Sequence, residues 1–351
     1  MGYKNSNQIQ TNKDITMKDK IDIVYLWVDG GDKKWRAEKD KWYKKITGQT
    51  PIYSGAAGAE RYRDNGELLY SLRSVSENLP WVNHIYIVTG FNQVPKWLNT
   101  KNSKITIIPH TEIMPADALP TFNATAIEMC IPNIPNLSEH FILMNDDMFI
   151  NKKISPACFF DNRGRAIVRY NTPHNRQRNI ARWMEKSDKY IQTLILSCKM
   201  IADAYGKKYY WARPSHGIDP YIKSSWLECR NHPLFNRQID EQIRNKFRTN
   251  NEVQRWMMNL YDLAHGRAKF VHTRAHKHGR HKVLDAIYNF IFYFKTRNSN
   301  VYVSNVCGQR KHLMQSATFC INDSPDNTAQ QLRENKEFLA ERFPNKCEFE
   351  K

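Results

Sequence analysis

Four short apolar runs, separated by segments of other character, constrain this chain more than any other feature. Ile21 to Val28 is broken only by Asp22 and ends at Asp29-Gly30-Gly31-Asp32. His84 to Thr89 is β-branched and closes on Gly90, and Lys104 to Pro109 follows. Phe141-Ile142-Leu143-Met144 then runs straight into Asn145-Asp146-Asp147. Runs this short and this rich in Val and Ile read as buried strands. Between the first two, Asp64-Asn65-Gly66-Glu67 opens a helical pattern with Leu68, Leu69, Leu72 and Val75 on one face. The Asp64/Glu67 spacing is that of a capping box. Phe122 to Cys130 reads as a short helix leading to a Pro-rich connection at 131–135. Strands alternating with helical patterns predict an α/β fold with a Rossmann-like, largely parallel sheet.

The second half changes character. Residues 175–205 and 237–264 have helical length and composition, and 282–295 is a further apolar and aromatic helix. Between the first two lies the loop-like Arg213-Pro214-Ser215-His216-Gly217-Ile218-Asp219-Pro220. Ala317 to Ile321 is a short strand ending in Asn322-Asp323, before a terminal helix at about 327–341. The expected organisation is a mobile tail over 1–20, an α/β portion over 21–170 and a helix-rich portion over 171–316. A returning strand and helix over 317–351 complete the core. Trp27, Trp81 and Trp97 are expected to pack in it.

Two adjacent carboxylates at a strand's carboxyl end sit where open α/β sheets bind ligands. Asp146 and Asp147 there suit a hard cation, Mg²⁺ or Mn²⁺, which can hold a nucleotide diphosphate. The competing reading is a turn that merely ends the strand. Charge adds a second signal. Lys and Arg number 53 against 35 Asp and Glu, a net +18, which favours polyanionic company. Arg163, Arg165, Arg169, Arg176, Arg178 and Arg182 form one basic cluster, and residues 267–282 form another containing His272, His276, His278 and His281. A solvated basic face is the structural alternative for both clusters; Arg and Lys beside those histidines repel a cation, so phosphate or phosphosugar contact is the better functional reading. An anionic membrane face is a further expected contact. Specific nucleic-acid binding is not expected, because no binding module or stacking platform accompanies the charge. No apolar run approaches the roughly 20 residues that span a bilayer, and the first twenty residues lack a signal-peptide core. The seven cysteines, with no Cys-x-x-Cys pair, read as reduced thiols in a cytoplasmic protein.

Together these segments resemble the Stealth proteins. Ile21-Asp22-Ile23-Val24-Tyr25-Leu26-Trp27-Val28-Asp29-Gly30 is similar to their first block. Arg61 through Arg63-Asp64-Asn65-Gly66-Glu67-Leu68 and on to Asn145-Asp146-Asp147 is similar to the second. His216-Gly217-Ile218-Asp219 with Lys246 to Glu252 resembles the third more loosely, and Phe319-Cys320-Ile321-Asn322-Asp323 the fourth. The resemblance implies a fold like the GT-A nucleotide-sugar-binding cores. It also implies transfer of a sugar with its phosphate from a nucleotide sugar, commonly UDP-linked, to a hydroxyl of a phosphorylated oligo- or polysaccharide acceptor. A phosphodiester forms and UMP leaves.

That chemistry assigns roles. Asp146, Asp147 and Asp323 are the expected metal ligands. Arg63 and Arg248 supply fixed positive charge at phosphorus, where a planar guanidinium holds two oxygens. Asp64 or His216 is the base for the acceptor hydroxyl. Asp29, Gly30, Asn123, Asn145 and Asn322 shape the nucleotide-sugar pocket. The structural alternatives are that Asp64 caps its helix and that Arg248, on a helix, pairs with Glu252 at i+4.

Overall fold

The four predicted strands form one sheet, and its order places the ligand crevice. The computed structural model describes residues 19–49, 62–171, 189–206, 213–215, 217–272, 301–304 and 306–351. His216, Arg176, Arg178, Arg182, His276, His278, His281 and the helix expected over 282–295 lie outside them. β1 (Ile21–Trp27), β2 (Ile85–Thr89), β3 (Ile105–Pro109) and β4 (His140–Asn145) pair in parallel as β3-β2-β1-β4. β1, β2 and β4 are buried almost throughout, as expected of strands covered on both faces. Asp22 survives inside β1 because its carboxylate accepts from Asn83 Nδ2 at 2.7 Å and the Ser138 amide at 2.7 Å. The order reverses direction between β1 and β4, and ligands bind outside the strand ends at such a switch.

Seven further strands follow among the described residues: β5 (Met148–Ile150), β6 (Ala166–Asn171), β7 (Arg213–Pro214), β8 (Asp219–Ile222), β9 (Ala268–His272), β10 (Val301–Ser304) and β11 (Thr318–Ile321). β8 adds antiparallel to β4, so the second half of the chain completes the first half's sheet. Two three-stranded sheets, β10-β11-β5 and β7-β6-β9, flank it.

The Asp146-Asp147 turn hands the chain from β4 to β5, which pairs antiparallel with β11. The Ile321 amide donates to Asp147 O at 3.1 Å, which sets Asn322-Asp323 beside the paired carboxylates. α1 (Lys33–Thr47) follows β1, capped by Asp32 and ended by Gly48 in the left-handed region. α2 (Glu67–Asn78) lies over β1 and β5: Tyr25 Oη and Ser71 Oγ are 2.9 Å apart, and Ser71 Oγ donates to Met148 O at 2.6 Å. Trp27 is buried, and Trp81 and Trp97 pack against the same core.

The helix expected over 237–264 is two helices, Asn236–Ile243 and Trp256–Ala264, with a loop between. Arg248 therefore sits on a loop, and the expected i+4 pair does not form. Glu252 is instead fully buried and accepts from Asn123 Nδ2 at 2.9 Å, Thr125 Oγ1 at 2.5 Å, Asn245 Nδ2 at 3.0 Å and the Thr249 amide at 3.0 Å. Those four donors outweigh local helix propensity across Thr249-Asn250-Asn251. Replacing Glu252 with Ala leaves them unsatisfied in the interior, so we expect a loss of about 3 kcal/mol in urea unfolding. A loss below about 1 kcal/mol would show that the loop is held by other contacts.

Candidate active site

The site begins with a glycine that only a glycine can replace. The loop after β1 is gripped by Gln93, whose Oε1 accepts from the Asp29 amide at 2.9 Å while its Nε2 donates to Asp29 O at 3.0 Å. The Gly30 amide then donates to Tyr62 O at 2.8 Å. A Cβ on Gly30 would lie 2.1 Å from that carbonyl oxygen. The close approach draws Tyr62, Arg63 and Asp64 over the carboxyl end of β1. Together with Asp29, Trp35 and Lys39 they line a cavity of about 400 Å³.

Asp64 does not cap α2, contrary to the sequence expectation. The helix starts at Glu67, and its cap is Gly66 at φ 90°, with no side-chain cap. Asp64 Oδ1 accepts from the Gly66 amide at 2.8 Å in a turn contact, and Asp64 lines the cavity. Glu67 reaches back to Asn65, accepting from its amide and its Nδ2, both at 2.7 Å. Arg63 Nε meets Asp323 Oδ2 at 3.1 Å, and Asn65 Nδ2 donates to the same oxygen at 3.4 Å.

Asp64, Glu67 and Asp147 form an acidic cluster with Asp146 and oppose its ionisation. Burial, then the charges of Asp147, Glu67 and Asp64, hold Asp146 well above the usual carboxylate range. Burial chiefly pushes Glu67 up to about 7, with Asp64 adding to the effect. Burial also raises Asp64, and Asp29 reinforces it. A cation would relieve this repulsion. Among the described residues, however, no three Asp, Glu, His or Cys side chains are arranged to hold a metal. Mg²⁺ normally takes one or two carboxylates plus substrate phosphates, so Asp146 and Asp147 suit that donor set. Asp323, expected as a third ligand, is instead held by Arg63 and Asn65, so its carboxylate steers the guanidinium.

These shifts fix the sign of a pH effect. A carboxyl whose folded pKa exceeds its unfolded one stabilises the fold below its ordinary range, and that stability is lost as pH rises through the folded value. For Glu67 the window runs from 4.5 to about 7. Without added divalent cation, melting temperature should fall across that window, and Glu67→Gln should remove about 3 kcal/mol of the dependence. Calorimetry at stepped pH checks this; an identical slope in wild type and Glu67→Gln would refute it.

The other expected residues divide. Asn145, at the end of β4, accepts from Arg255 Nη1 at 3.3 Å. Arg255 is held by Glu128 at 2.8 Å and by Asp219 at 3.8 Å. Asn123 does not shape the pocket: it is buried, caps the helix Ala124–Glu128 and donates to Glu252. Asn322 is exposed at the end of β11, its amide on Ser304 O at 2.9 Å. Arg248 is half-buried on its loop. The residues that sequence reasoning missed are Lys39, Trp35, Tyr62, Glu128 and Arg255. Lys39 is one lysine among many, and only folding shows it 2% exposed, 4.8 Å from the centre of the Tyr62 ring.

Family models for the Stealth protein match here: conserved region 1 over residues 19–45 and conserved region 2 over residues 61–168. Over 94% of its length the chain is 32% identical to the exopolysaccharide phosphotransferase cps2G of Lactiplantibacillus plantarum, 96% of which it covers. The chain belongs to the Stealth family. It is likewise 32% identical to the capsular polysaccharide phosphotransferase fcs1 of Haemophilus influenzae, over 87% of this chain and 78% of that one. A capsular polysaccharide phosphotransferase of Neisseria meningitidis serogroup B is 30% identical over 88% of this chain and 78% of its own. The chain is an enzyme of that transferase class. Region 1 spans β1 and most of α1, and region 2 includes Arg63, Asp64 and the Asp146-Asp147 turn. Among solved structures, the galactosyltransferase LgtC aligns over 92% of this chain and 95% of its own at 12% identity and a TM-score of 0.42. The Rossmann-like assignment rests on the chain's own strand order.

Proposed function

We propose that this Stealth protein transfers a hexose-1-phosphate from a UDP-linked sugar to a hydroxyl of a phosphorylated glycan in surface polysaccharide synthesis. The observation that carries the reading is a cavity of about 400 Å³ lined by Asp29, Arg63 and Asp64, together with the charges of Asp64, Glu67 and Asp147 acting on Asp146. It lies at the switch point of a chain that matches exopolysaccharide and capsular phosphotransferases over most of its length.

Attack at phosphorus requires positioning and charge stabilisation more than covalent chemistry. Arg63, aimed by Asp323, holds non-bridging phosphate oxygens through its planar fork. Asp64, raised by burial and by Asp29, takes the proton from the acceptor hydroxyl; a base nearer neutrality accepts it more readily. The acceptor oxygen bonds to phosphorus, the bond from phosphorus to the UMP oxygen breaks, and UMP carries away the electron pair. Asp146 and Asp147 would hold Mg²⁺ or Mn²⁺, which neutralises diphosphate charge when bound. Asp29 and the Gly30 loop border the donor.

The test is product analysis with UDP-sugars, Mg²⁺ and sugar acceptors. UMP with a phosphodiester product is expected. UDP with a glycosidic product would overturn the reading.

A further inference from the structure

We propose that the lysine face of α1 is a docking track for the anionic, phosphodiester-linked acceptor chain, a role that rests on the function proposed above. Lys33, Lys34, Lys41, Lys44 and Lys45 are all exposed. At 100° per residue they fall within about a third of the helix circumference, along roughly 17 Å of its axis. The opposite face carries Trp35 and Lys39, which line the cavity. The track therefore runs along the outside of the wall that encloses the donor site.

The face is costly for the helix itself. The first turn holds no acidic residue, so Lys33 and Lys34 oppose the macrodipole, whereas Lys44 and Lys45 in the last turn complement it. Lys41 stands three and four residues from Lys44 and Lys45, where like charges destabilise. Acidic relief at this face comes from Glu38, bound to Lys41 at 3.2 Å and to Trp42 Nε1 at 2.9 Å, and from Asp40, four residues before Lys44. A polyanion laid along the lysines supplies the missing counter-charge.

The Trp42 indole borders the same face, which suits a glycan. Lys45 Nζ lies 4.5 Å and Lys246 Nζ 5.1 Å from the centre of the Trp42 ring, two ammonium groups from different elements around one indole. Lys246 is pulled down chiefly by burial; Asp117 opposes that and Lys45 adds to it. An arriving phosphate would relieve that repulsion, and a sugar ring has an indole beside it. For a membrane surface the face lacks an apolar stripe to insert; Ile46 is the large apolar side chain exposed on α1.

The experiment reads binding without turnover. Poly(glycerol phosphate) oligomers and phosphatidylglycerol vesicles are titrated against wild type, a variant with all five lysines changed to Gln, and Lys41→Gln/Lys44→Gln/Lys45→Gln alone. Thermal melts establish that each variant folds. Wild-type affinity for the oligomer should fall with salt, and the five-site variant should bind it roughly tenfold to a hundredfold more weakly. The triple variant should fall between. Equal oligomer affinity in all three proteins overturns the track, and so does a loss confined to vesicles. Absence of UMP release by wild type, with lysine-dependent oligomer binding intact, would count against the proposed reaction alone.

Discussion

Changing Asp146 and Asp147 together to Ala should reduce turnover by about a thousandfold or more while leaving the fold intact. The two carboxylates stand at the carboxyl end of β4, where the chain leaves the main sheet for β5. Asp146 is held above its ordinary range by burial and by three neighbouring acids, so its ionised form burdens the fold. Removing both charges also ends the repulsion between Asp146 and its neighbours Glu67 and Asp64. Melting temperature without divalent cation should therefore hold or rise in the double variant. The catalytic loss has the opposite sign because the diphosphate then has no partner for its cation. Single-turnover UMP release and a thermal melt measure the two effects separately. Full activity in the double variant would remove the pair from the site, and an unfolded protein would assign it to structure.

Much of this fold was legible because β1, β2 and β4 are buried on both faces and read as continuous apolar runs. Their ends were legible to within a residue or two, since Gly and Asp follow directly. α1 was not anticipated: its buried residues are Trp35 and Lys39, so the apolar periodicity that marks a helix is almost absent. The loop between Asn236–Ile243 and Trp256–Ala264 was hidden for the opposite reason. Its residues tolerate helix, and what forbids it is the burial of Glu252 among donors from elsewhere in the chain. Local patterns cannot carry a requirement set by Asn123 and Thr125.

Part of the candidate site was named from the sequence, but none of its pairings was. Asp64, Arg63, Asp146 and Asp147 were each expected to take part. The sequence could not show that the β5–β11 pairing brings Asp323 to Arg63. It also could not show that Gly66, rather than Asp64, caps α2. Arg255 lay beyond reach altogether: its partners Glu128, Asn145 and Asp219 come from three distant segments that converge only once β8 joins β4.

The release of Asp64 from capping sharpens the second large effect. Asp64→Asn keeps the size of the side chain and an oxygen able to accept from the Gly66 amide, so the turn should survive. What it removes is proton affinity. Turnover should fall by about a hundredfold to ten-thousandfold, the usual range for loss of a positioned base. Because burial and Asp29 raise this carboxyl, wild-type kcat/KM should climb with pH above the ordinary carboxylate range, and the acidic limb should flatten in Asp64→Asn. Donor binding gives the control: UDP affinity reports on the cavity wall, and it should change little or tighten, since one negative charge leaves a site that receives a diphosphate. A merely structural Asp64 would lower stability and leave the pH profile unchanged in shape. An unaltered rate would transfer the base to another residue and leave Asp64 as the hinge that turns the chain from Arg63 into α2.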